Sequence, residues 1–463
     1  SSAVGPSAAT IPVAASVMAS NASIIERLQW EYPGRGSGPS HPALALFYAA
    51  DDHCIFTILG QLLDDRIDEC GSYGKDKSDS HVEYAIHLVG FDVPVLHHNK
   101  ISRLSTSPFS GTLGMMSVLF NYAHLGWADR MRAAYGLLKI RMTHRQSSNK
   151  TLDNMSFAKW LKWQWQSDET IDKFWNLVVL PALNDDISQV SADAGIMFFQ
   201  TAFMNDPGDS SIGYAKVGLT KLAGDSAHRW IESHGGTIRT KTEIVALESD
   251  STKTLGMRTA NGGLVSGDAY VLALPFSELS SVLPKELAQS DPFVHIPKLE
   301  VAPIVAIHIW YDRQVIQQDF IAILDSPIQW IFNVTEMHDK PGPDHHIVIS
   351  LSGAWEWHTR AKKDLSTIFV NEMTRLFDRA KNAEVKRVVI VKQLAATFRS
   401  SPGASRFRPN QKTPVPNLFL AGDWTQTGWP STMESAIRSG NRAADAVVKQ
   451  LEFSAPKQDV PSE

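Results

Sequence analysis

The hydrophobic pattern divides the chain into a helix-rich first half and a strand-rich second half. Apolar residues recur at helical spacing over residues 43–68 and again from about 111 to 205. Beyond residue 237, short apolar runs alternate with polar turns, as in "TEIVALESD" and "VAPIVAIHIWYD". Asn261-Gly262 lies between two such runs and predicts a hairpin turn. This mixture of helices and strands predicts an α/β or α+β protein with discontinuous domains.

Local signals fix the ends of several of these elements. Ser156 and Ser167 each precede a helical pattern and are predicted N-caps. A helix over 220–234 is predicted to end at Gly235-Gly236. Residues 90–96, around Pro94, are predicted to be extended.

Composition and charge exclude several classes of protein. The 463 residues carry 44 basic and 49 acidic side chains, a net charge of −5, which argues against nucleic acid as a partner. Cys54 and Cys70 have no zinc-ligand spacing, so we expect no metal and a reducing compartment, the cytoplasm. No apolar run is long enough for a membrane-spanning helix. The apolar segment near residue 12 is short and lacks a basic region, so it is a poor signal peptide.

Residues 417–448 carry the strongest functional pattern. The apolar run 418–421 predicts a buried parallel strand, and Gly422 and Asp423 follow at its carboxyl end. Thr432 or Ser431 is predicted to cap the helix that comes next. A helix N-terminus at that position favours an anionic or electron-rich ligand. The pattern alone fits a nucleotide-cofactor site and a plain strand–loop–helix equally well.

A resemblance favours the cofactor site. The run "LFLAGDWTQTGWPSTMESAIRSG" resembles the C-terminal flavin-binding signature of the amine oxidase and phytoene desaturase superfamily. Within that superfamily it is most similar to hydroxysqualene dehydroxylases, the squalene-associated FAD-dependent desaturases. Further blocks, such as "FWNLVVLPALN" and "IGYAKVGLTKLAGDSA", extend the resemblance over residues 85 to 448. The resemblance implies a Rossmann-like FAD-binding domain of amine-oxidase type, a mixed-sheet substrate domain and a helical insertion.

The resemblance also implies positions for the FAD contacts and for the domains. Gly422 and Asp423 would lie at the ribityl chain and pyrophosphate, and Ile244 at the adenine. The isoalloxazine would lie along Trp429, Pro430, Thr432, Met433 and Glu434. The implied FAD-binding domain comprises residues 41–90, 206–275 and 406–451. The helical insertion is implied at 91–205 and the substrate-domain sheet at 276–405. A non-family segment precedes them at 1–40, and a tail follows at 452–463.

The other half of a typical FAD site is not found in the first 100 residues. Such domains begin with a strand and a GxGxxG turn. "GRGSGP" supplies Gly34, Gly36 and Gly38, but no apolar strand precedes it and Pro39 follows. The FAD domain is therefore expected to be incomplete at its N-terminus. Three explanations stay open: a missing upstream segment, a homologue that binds FAD weakly or not at all, or a substitute within residues 1–40.

The expected reaction follows from the same resemblance. Reduced FAD would deliver hydride to hydroxysqualene as the hydroxyl leaves, giving squalene, a hopanoid and sterol precursor. His53, His308 and Glu434 are candidate proton donors, but none can be assigned from the sequence. Gln329, Trp330 and Trp355, in the proposed substrate-domain strands, are candidates for an apolar substrate pocket. Helical aromatic residues are candidates for its lining or for ordinary core: Trp160, Trp163, Trp165, Trp175, Phe198, Phe199 and Phe203.

Residues 115–145 are a candidate for peripheral contact with the inner face of the membrane. At helical spacing Met131, Tyr135, Leu138 and Met142 share one face. Arg130 and Arg141 flank this face on one side, and Arg132 and Lys139 flank it on the other. Such a stripe can lie in a membrane interface; the alternative is an ordinary surface helix packed on the core.

Two alternatives to the hydroxysqualene reaction remain. A carotenoid desaturase or an amine oxidase would keep the flavin. An amine oxidase would usually need an aromatic pair that cages the amine, and Trp424 and Trp429 are available but do not have the family's usual placement. A homologue without cofactor would have no catalytic activity.

Overall fold

The structure is a computed structural model. It describes residues 86–89, 91–105, 118–145, 150–204, 212–218, 220, 224–250, 252–338 and 342–454. The predicted segment 1–40, the helix over 43–68, the candidate His53 and the tail after 454 lie outside the described residues.

The described residues form these strands: β1 Ile86–Val89, β2 Asp92–His97, β3 Lys100–Ser105, β4 Ile212–Ala215, β5 Ile244–Ser249, β6 Thr254–Thr259, β7 Leu264–Val265, β8 Tyr270–Leu272, β9 Val301–Tyr311, β10 Phe320–Ile323, β11 Trp330–Asn333, β12 His345–Leu351, β13 Val385–Phe398 and β14 Leu418–Leu420.

Their helices are α1 Trp127–Met142, α2 Lys150–Asp153, α3 Phe157–Trp163, α4 Asp168–Thr170, α5 Asn176–Leu183, α6 Ala192–Phe203, α7 Asp225–Ser233, α8 Phe276–Val282, α9 Lys285–Ala288, α10 Val334–Met337, α11 Lys362–Leu376, α12 Asp378–Lys381 and α13 Met433–Ser454. A π-helical segment, Ile171–Trp175, joins α4 to α5, and 3₁₀ turns lie at Phe293–Lys298 and Ala404–Phe407.

The chain divides into two compact units, which confirms the prediction of a discontinuous α/β fold. The larger unit comprises the described residues between 86 and 218 and between 300 and 405, and the smaller unit comprises those between 220 and 299 and between 406 and 454. The predicted division into FAD-binding, substrate and insertion domains stays a prediction.

The larger unit is built on a mixed seven-stranded sheet. The strand order is β13-β9-β12-β11-β10-β2-β3, in which β10 and β2 are parallel and the other neighbours are antiparallel. Alternate side chains of a strand point to opposite faces. On β10, Phe320 and Ala322 join the core that α1, α3, α5 and α6 share, whereas Ile321 and Ile323 join the core that contains α11. Both faces of the sheet are therefore covered by helices.

The caps of the larger unit follow the sequence predictions. Ser156 accepts a hydrogen bond from the N–H of Lys159, and Ser167 accepts one from the N–H of Thr170. Both predicted N-caps are confirmed. The extended segment around Pro94 is also confirmed, because it forms β2.

The helical aromatic residues separate into core and surface. Trp160, Trp175, Phe198, Phe199 and Phe203 are buried in the helical core, whereas Trp163 and Trp165 are exposed. Burial of five of the seven confirms the core interpretation for those residues.

The smaller unit contains two sheets. β5, β6 and β7 form an antiparallel sheet, and Gly262 has φ +87° in the predicted hairpin turn. β8 and β14 form a parallel pair against which α13 packs, with Ala443 and Val447 contacting the core of Val271 and Phe419. The parallel strand predicted at 418–421 is therefore confirmed.

Candidate cofactor site

The loop after β14 depends on a glycine. β14 and β8 pair in parallel, Leu420 opposite Leu272, so both strands end at the same edge. Gly422 follows with φ +140°, and a Cβ added to it would lie 2.4 Å from Nε1 of Trp424. That indole is buried and donates its N–H to the carbonyl of Leu274 (3.0 Å). Since the indole is held in place, residue 422 has no room for a side chain.

Asp423 connects this loop to the start of α13. Its carboxylate accepts a hydrogen bond from Ser431, and its backbone carbonyl accepts one from the hydroxyl of Ser435 (2.8 Å). Burial raises the pKa of Asp423, while the Ser431 hydroxyl and the charge of Arg408 act against that increase. The carboxylate is thus held between the strand end and the helix N-terminus.

Thr432 is the residue that caps α13. Its hydroxyl accepts a hydrogen bond from the N–H of Ser435 (3.1 Å), so of the two predicted caps Thr432 is confirmed and Ser431 serves Asp423 instead. The first turn of this 22-residue helix directs its positive dipole end towards the loop.

Arg438, which the sequence patterns did not mark, contacts two of the residues predicted to lie along the isoalloxazine. The guanidinium of Arg438 lies 4.7 Å from the centre of the Trp429 ring and forms an ion pair with Glu434. Pro430 is buried and Met433 half-buried beside them. Glu434 is itself buried, so its charge is matched by the cation four residues further along the helix.

Arg408 is a second residue that the sequence patterns did not mark. Its Nη2 donates to the carbonyls of Asp423 (2.9 Å) and Thr425 (2.6 Å) and to the hydroxyl of Thr427 (3.1 Å). Arg408 lies in the arginine-containing block before β14, but no spacing rule marks which of that block's arginines supports the loop.

These residues fit the pyrophosphate group of a dinucleotide cofactor. Two parallel strand ends, a glycine-dependent turn and a helix N-terminus lie together, which is the arrangement that α/β folds use for pyrophosphate groups. Ile244 is placed differently: it is the first residue of β5, in another sheet of the same unit. The individual contacts predicted for Ile244, Gly422, Asp423, Trp429, Pro430, Thr432, Met433 and Glu434 stay predictions.

A family model for flavin containing amine oxidoreductases matches residues 48–448. The chain belongs to this family. FAD is therefore its cofactor and oxidoreduction its chemistry, as the resemblance implied.

Within this family, the chain is similar to 15-cis-phytoene desaturases. The chain is 25% identical over 400 residues to a 15-cis-phytoene desaturase of an Oncidium hybrid cultivar, covering 82% of this chain and 67% of the relative. It is 24% identical over 349 residues to the 15-cis-phytoene desaturase of Synechococcus elongatus, covering 72% of this chain and 73% of that relative. Among solved structures, a putative protoporphyrinogen oxidase from Exiguobacterium superposes with a TM-score of 0.62 at 12% identity, covering 94% of this chain and 97% of that chain, which shows the fold.

Trp424 and Trp429 do not form an aromatic cage for an amine, in agreement with their unusual placement in the sequence. Trp424 is 1% exposed, and its indole N–H donates a hydrogen bond to the backbone carbonyl of Leu274. A cage wall must present its ring face to the ligand. Trp424 supports the Gly422 turn instead.

The predicted substrate-pocket residues lie in the larger unit, but only one of them is in a strand. Trp330 is buried in β11, Gln329 directly precedes that strand, and Trp355 lies in a turn after β12. The predicted strand position is therefore confirmed for Trp330 and wrong for Gln329 and Trp355. Gln329 is a structural link, because its side-chain amide donates to Ser352 O (3.0 Å) and accepts from Ser352 N–H (2.7 Å). Their contact with substrate stays a prediction.

Trp355, which is 42% exposed, packs against the arginine of a largely buried ion pair. Arg399 lies 5.0 Å from the Trp355 ring centre, and its Nε donates to the carboxylate of Asp185 (2.6 Å). Asp185 is 1% exposed, so this ion pair is shielded from water.

The candidate proton donors have other partners in the structure. His308 Nδ1 lies 3.1 Å from Nε2 of His346, and burial, together with neighbouring histidines and Arg387, lowers the pKa of His346 to about 4. Glu434 is paired with Arg438. No catalytic acid is assigned.

The apolar stripe of α1 lies at the surface. Met131, Leu138 and Met142 are exposed, while the opposite face packs into the core through residues such as Leu137 and Ile140. Trp165 stacks on Tyr135 with ring centres 5.8 Å apart and extends the stripe. α1 is thus a surface helix whose opposite face packs on the core, and contact of its exposed stripe with a membrane stays a prediction.

Two of the four predicted flanking cations are turned towards the protein. Arg130 donates to the carbonyl of Leu125 (2.9 Å) and Arg141 to that of Met204 (3.1 Å). Arg132 pairs with Asp129, and Lys139 lies over the Tyr135 ring. None of the described helices is long and apolar enough to cross a bilayer.

Proposed function

We propose that this FAD-dependent oxidoreductase exchanges hydride with a long hydrocarbon isoprenoid, with a phytoene-class substrate as the first candidate. The observation that carries the proposal is the similarity to 15-cis-phytoene desaturases over 82% of the chain. FAD, when bound, supplies the hydride acceptor or donor. The chain's part is to bind the cofactor at the Gly422 loop, which Arg408 and Ser431 hold in place.

The second candidate is the reductive dehydroxylation of hydroxysqualene. It is favoured by the ordered sequence blocks that resemble hydroxysqualene dehydroxylases. The two reactions run in opposite redox directions. Desaturation removes a hydride and a proton from carbon and needs an electron acceptor, whereas dehydroxylation adds a hydride, releases hydroxide as water after protonation, and needs a reductant.

Substrate assays in both redox directions distinguish these candidates. The purified chain with FAD is incubated with phytoene and a quinone, and separately with hydroxysqualene and dithionite, and the products are separated by chromatography. We expect new conjugated double bonds in the first assay. Squalene formation only in the second assay would replace the first candidate, and no product in either would contradict the isoprenoid proposal.

We further propose that the α1 surface rests on an anionic membrane, from which a water-insoluble substrate would enter. Trp127 and Met142 are 64% and 63% exposed at the two ends of α1, and the exposed Trp165 lies beside its middle. Large exposed apolar side chains with nearby cations are typical of interfacial helices.

Replacing the two end residues should release the protein from vesicles. Since burying each large apolar side chain stabilises the bound state by about 1.5 kcal/mol or more, Trp127→Gln with Met142→Gln should weaken binding at least about 100-fold. The measurement is flotation with vesicles of phosphatidylglycerol and phosphatidylcholine. Leu394→Gln, at an equally exposed residue of β13, is the control and should float like the wild type. Equal flotation of the double variant and the control, or no flotation of the wild type, would contradict the proposal.

A further inference from the structure

Two parallel strands of the larger unit end side by side and bring two histidines next to an aspartate. β2 ends at His97, and His98 follows in the tight turn to β3. β10 runs parallel to β2, and Asp325 lies two residues beyond its end. The backbone N–H of His98 donates to the carboxylate of Asp325 (3.1 Å), and the N–H of Leu324 donates to Leu96 O (3.0 Å). The backbone therefore fixes the three side chains at one sheet edge.

The polar atoms of these side chains converge. Nδ1 of His98 lies 3.1 Å from one carboxylate oxygen of Asp325, and Nδ1 of His97 lies 4.0 Å from the other. One ligand atom from each of the three residues fits within 4.8 Å of the others. His97 Nδ1 and Asp325 Oδ1 are buried and, in the part of the chain that the structure describes, have no hydrogen-bond partner. Buried polar atoms without a partner cost free energy, so this pair requires an explanation.

We propose that His97, His98 and Asp325 bind one divalent transition-metal ion of the zinc class. Two imidazole nitrogens and one carboxylate oxygen form a ligand set that zinc takes in proteins. Bond lengths of about 2.0–2.2 Å place tetrahedral ligand atoms about 3.3–3.5 Å apart, between the two separations seen in this cluster. His98 is 75% exposed, so the fourth position opens to solvent and can take water. The ion would satisfy both unpartnered atoms.

The surrounding charges permit a cation at this place. The charge of Lys173 acts on His97, and Lys173 is already paired with Glu169 (2.5 Å). The charge of Arg375 acts on Asp325, and Arg375 is already paired with Glu372 (2.6 Å). His124 lies edge-on to His97, and its Nε2 is held 2.8 Å from the carbonyl of Val95. His124 is thus positioned as a neighbour of the cluster and not as a ligand.

The inferred site replaces the expectation that the chain has no metal. That expectation rested on the two cysteines, whereas this ligand set contains none. The adjacent histidines are visible in the sequence, but Asp325 lies 227 residues beyond His98. Only the parallel pairing of β2 with β10 brings the carboxylate to them. The ion would fasten the β2–β3 turn to the end of β10.

Metal titration of the full chain tests the proposal. After dialysis against a chelator, the protein is titrated with Zn²⁺ by calorimetry and with Co²⁺ by visible spectroscopy. We expect one equivalent to bind, with the intense visible bands of four-coordinate Co²⁺. His98→Gln and Asp325→Asn should each weaken binding at least about 100-fold, because each removes a ligand outright and even supporting residues cost 10–100-fold. His98 is exposed, so its replacement tests the site without disturbing the core.

His295→Gln is the matched control. His295 also lies near an aspartate, with Nε2 3.4 Å from Asp291, but it is in the smaller unit and has no part in this cluster. Its replacement should leave binding unchanged. Absence of stoichiometric binding to the wild type, or equal binding by His98→Gln and His295→Gln, would overturn the proposal. The outcome does not depend on FAD or on any substrate.

Discussion

Gly422→Ala is expected to destabilise the smaller unit and to weaken FAD binding. The backbone has φ +140°, which L-residues rarely adopt, and the new Cβ would lie 2.4 Å from the indole of Trp424. Backbone strain of about 1–3 kcal/mol and overpacking of about 1–3 kcal/mol add to about 2–6 kcal/mol. Because the indole is hydrogen-bonded to Leu274, the loop must shift instead. Thermal unfolding and FAD titration measure the two effects, and we expect affinity to fall at least about tenfold, the equivalent of 1.4 kcal/mol.

Gly428→Ala separates backbone strain from the steric clash. Gly428 lies in the same loop with φ +83°, but nothing lies within 4 Å of an added Cβ. Its replacement should cost only the left-handed backbone penalty of about 1–2 kcal/mol. If both variants unfold at the same temperature and bind FAD equally well, the contact between Gly422 and Trp424 has no special role.

Arg399→Met is expected to destabilise the larger unit far more than the loss of an exposed ion pair would. It leaves the carboxylate of Asp185, which is 1% exposed, without its cation, and it removes the guanidinium from the Trp355 ring. Breaking a buried ion pair by removing one partner costs about 3–5 kcal/mol. Urea unfolding followed by tryptophan fluorescence should show a clearly lower midpoint.

Arg103→Met provides the comparison for that prediction. Arg103 forms an ion pair with Asp92 at 2.6 Å, but 52% and 42% of the two side chains are exposed. Exposed pairs contribute about 1 kcal/mol or less. Similar midpoints for the two variants would show that burial of Asp185 does not strengthen its dependence on Arg399.

Local patterns predicted the elements of the cofactor site well. The apolar run 418–421, Gly422 and the Thr432 cap are consequences of neighbouring residues, so they can be read from the sequence. The same holds for Ser156 and Ser167, which cap helices within three residues.

Long-range partners could not be predicted in this way. Arg408 reaches residues 15 to 19 positions further along, and Arg399 reaches Asp185 over 214 residues. Those pairings depend on how the strands are ordered in space, which no local periodicity encodes. The predicted strand position of Trp355 was wrong for a related reason. The chain leaves the sheet where β12 ends at Leu351, and Trp355 lies in the turn that follows.

Flavin retention by the purified chain is the decisive measurement for the cofactor site. The protein is mixed with excess FAD and desalted, and its visible spectrum is compared with its protein absorbance. Because the β14 strand end, the Gly422 turn and the α13 N-terminus lie together at the predicted cofactor site, we predict a retained flavin band at near-equimolar ratio, reduced by Gly422→Ala. A colourless wild-type protein at saturating FAD would contradict the assignment of this loop as the cofactor site.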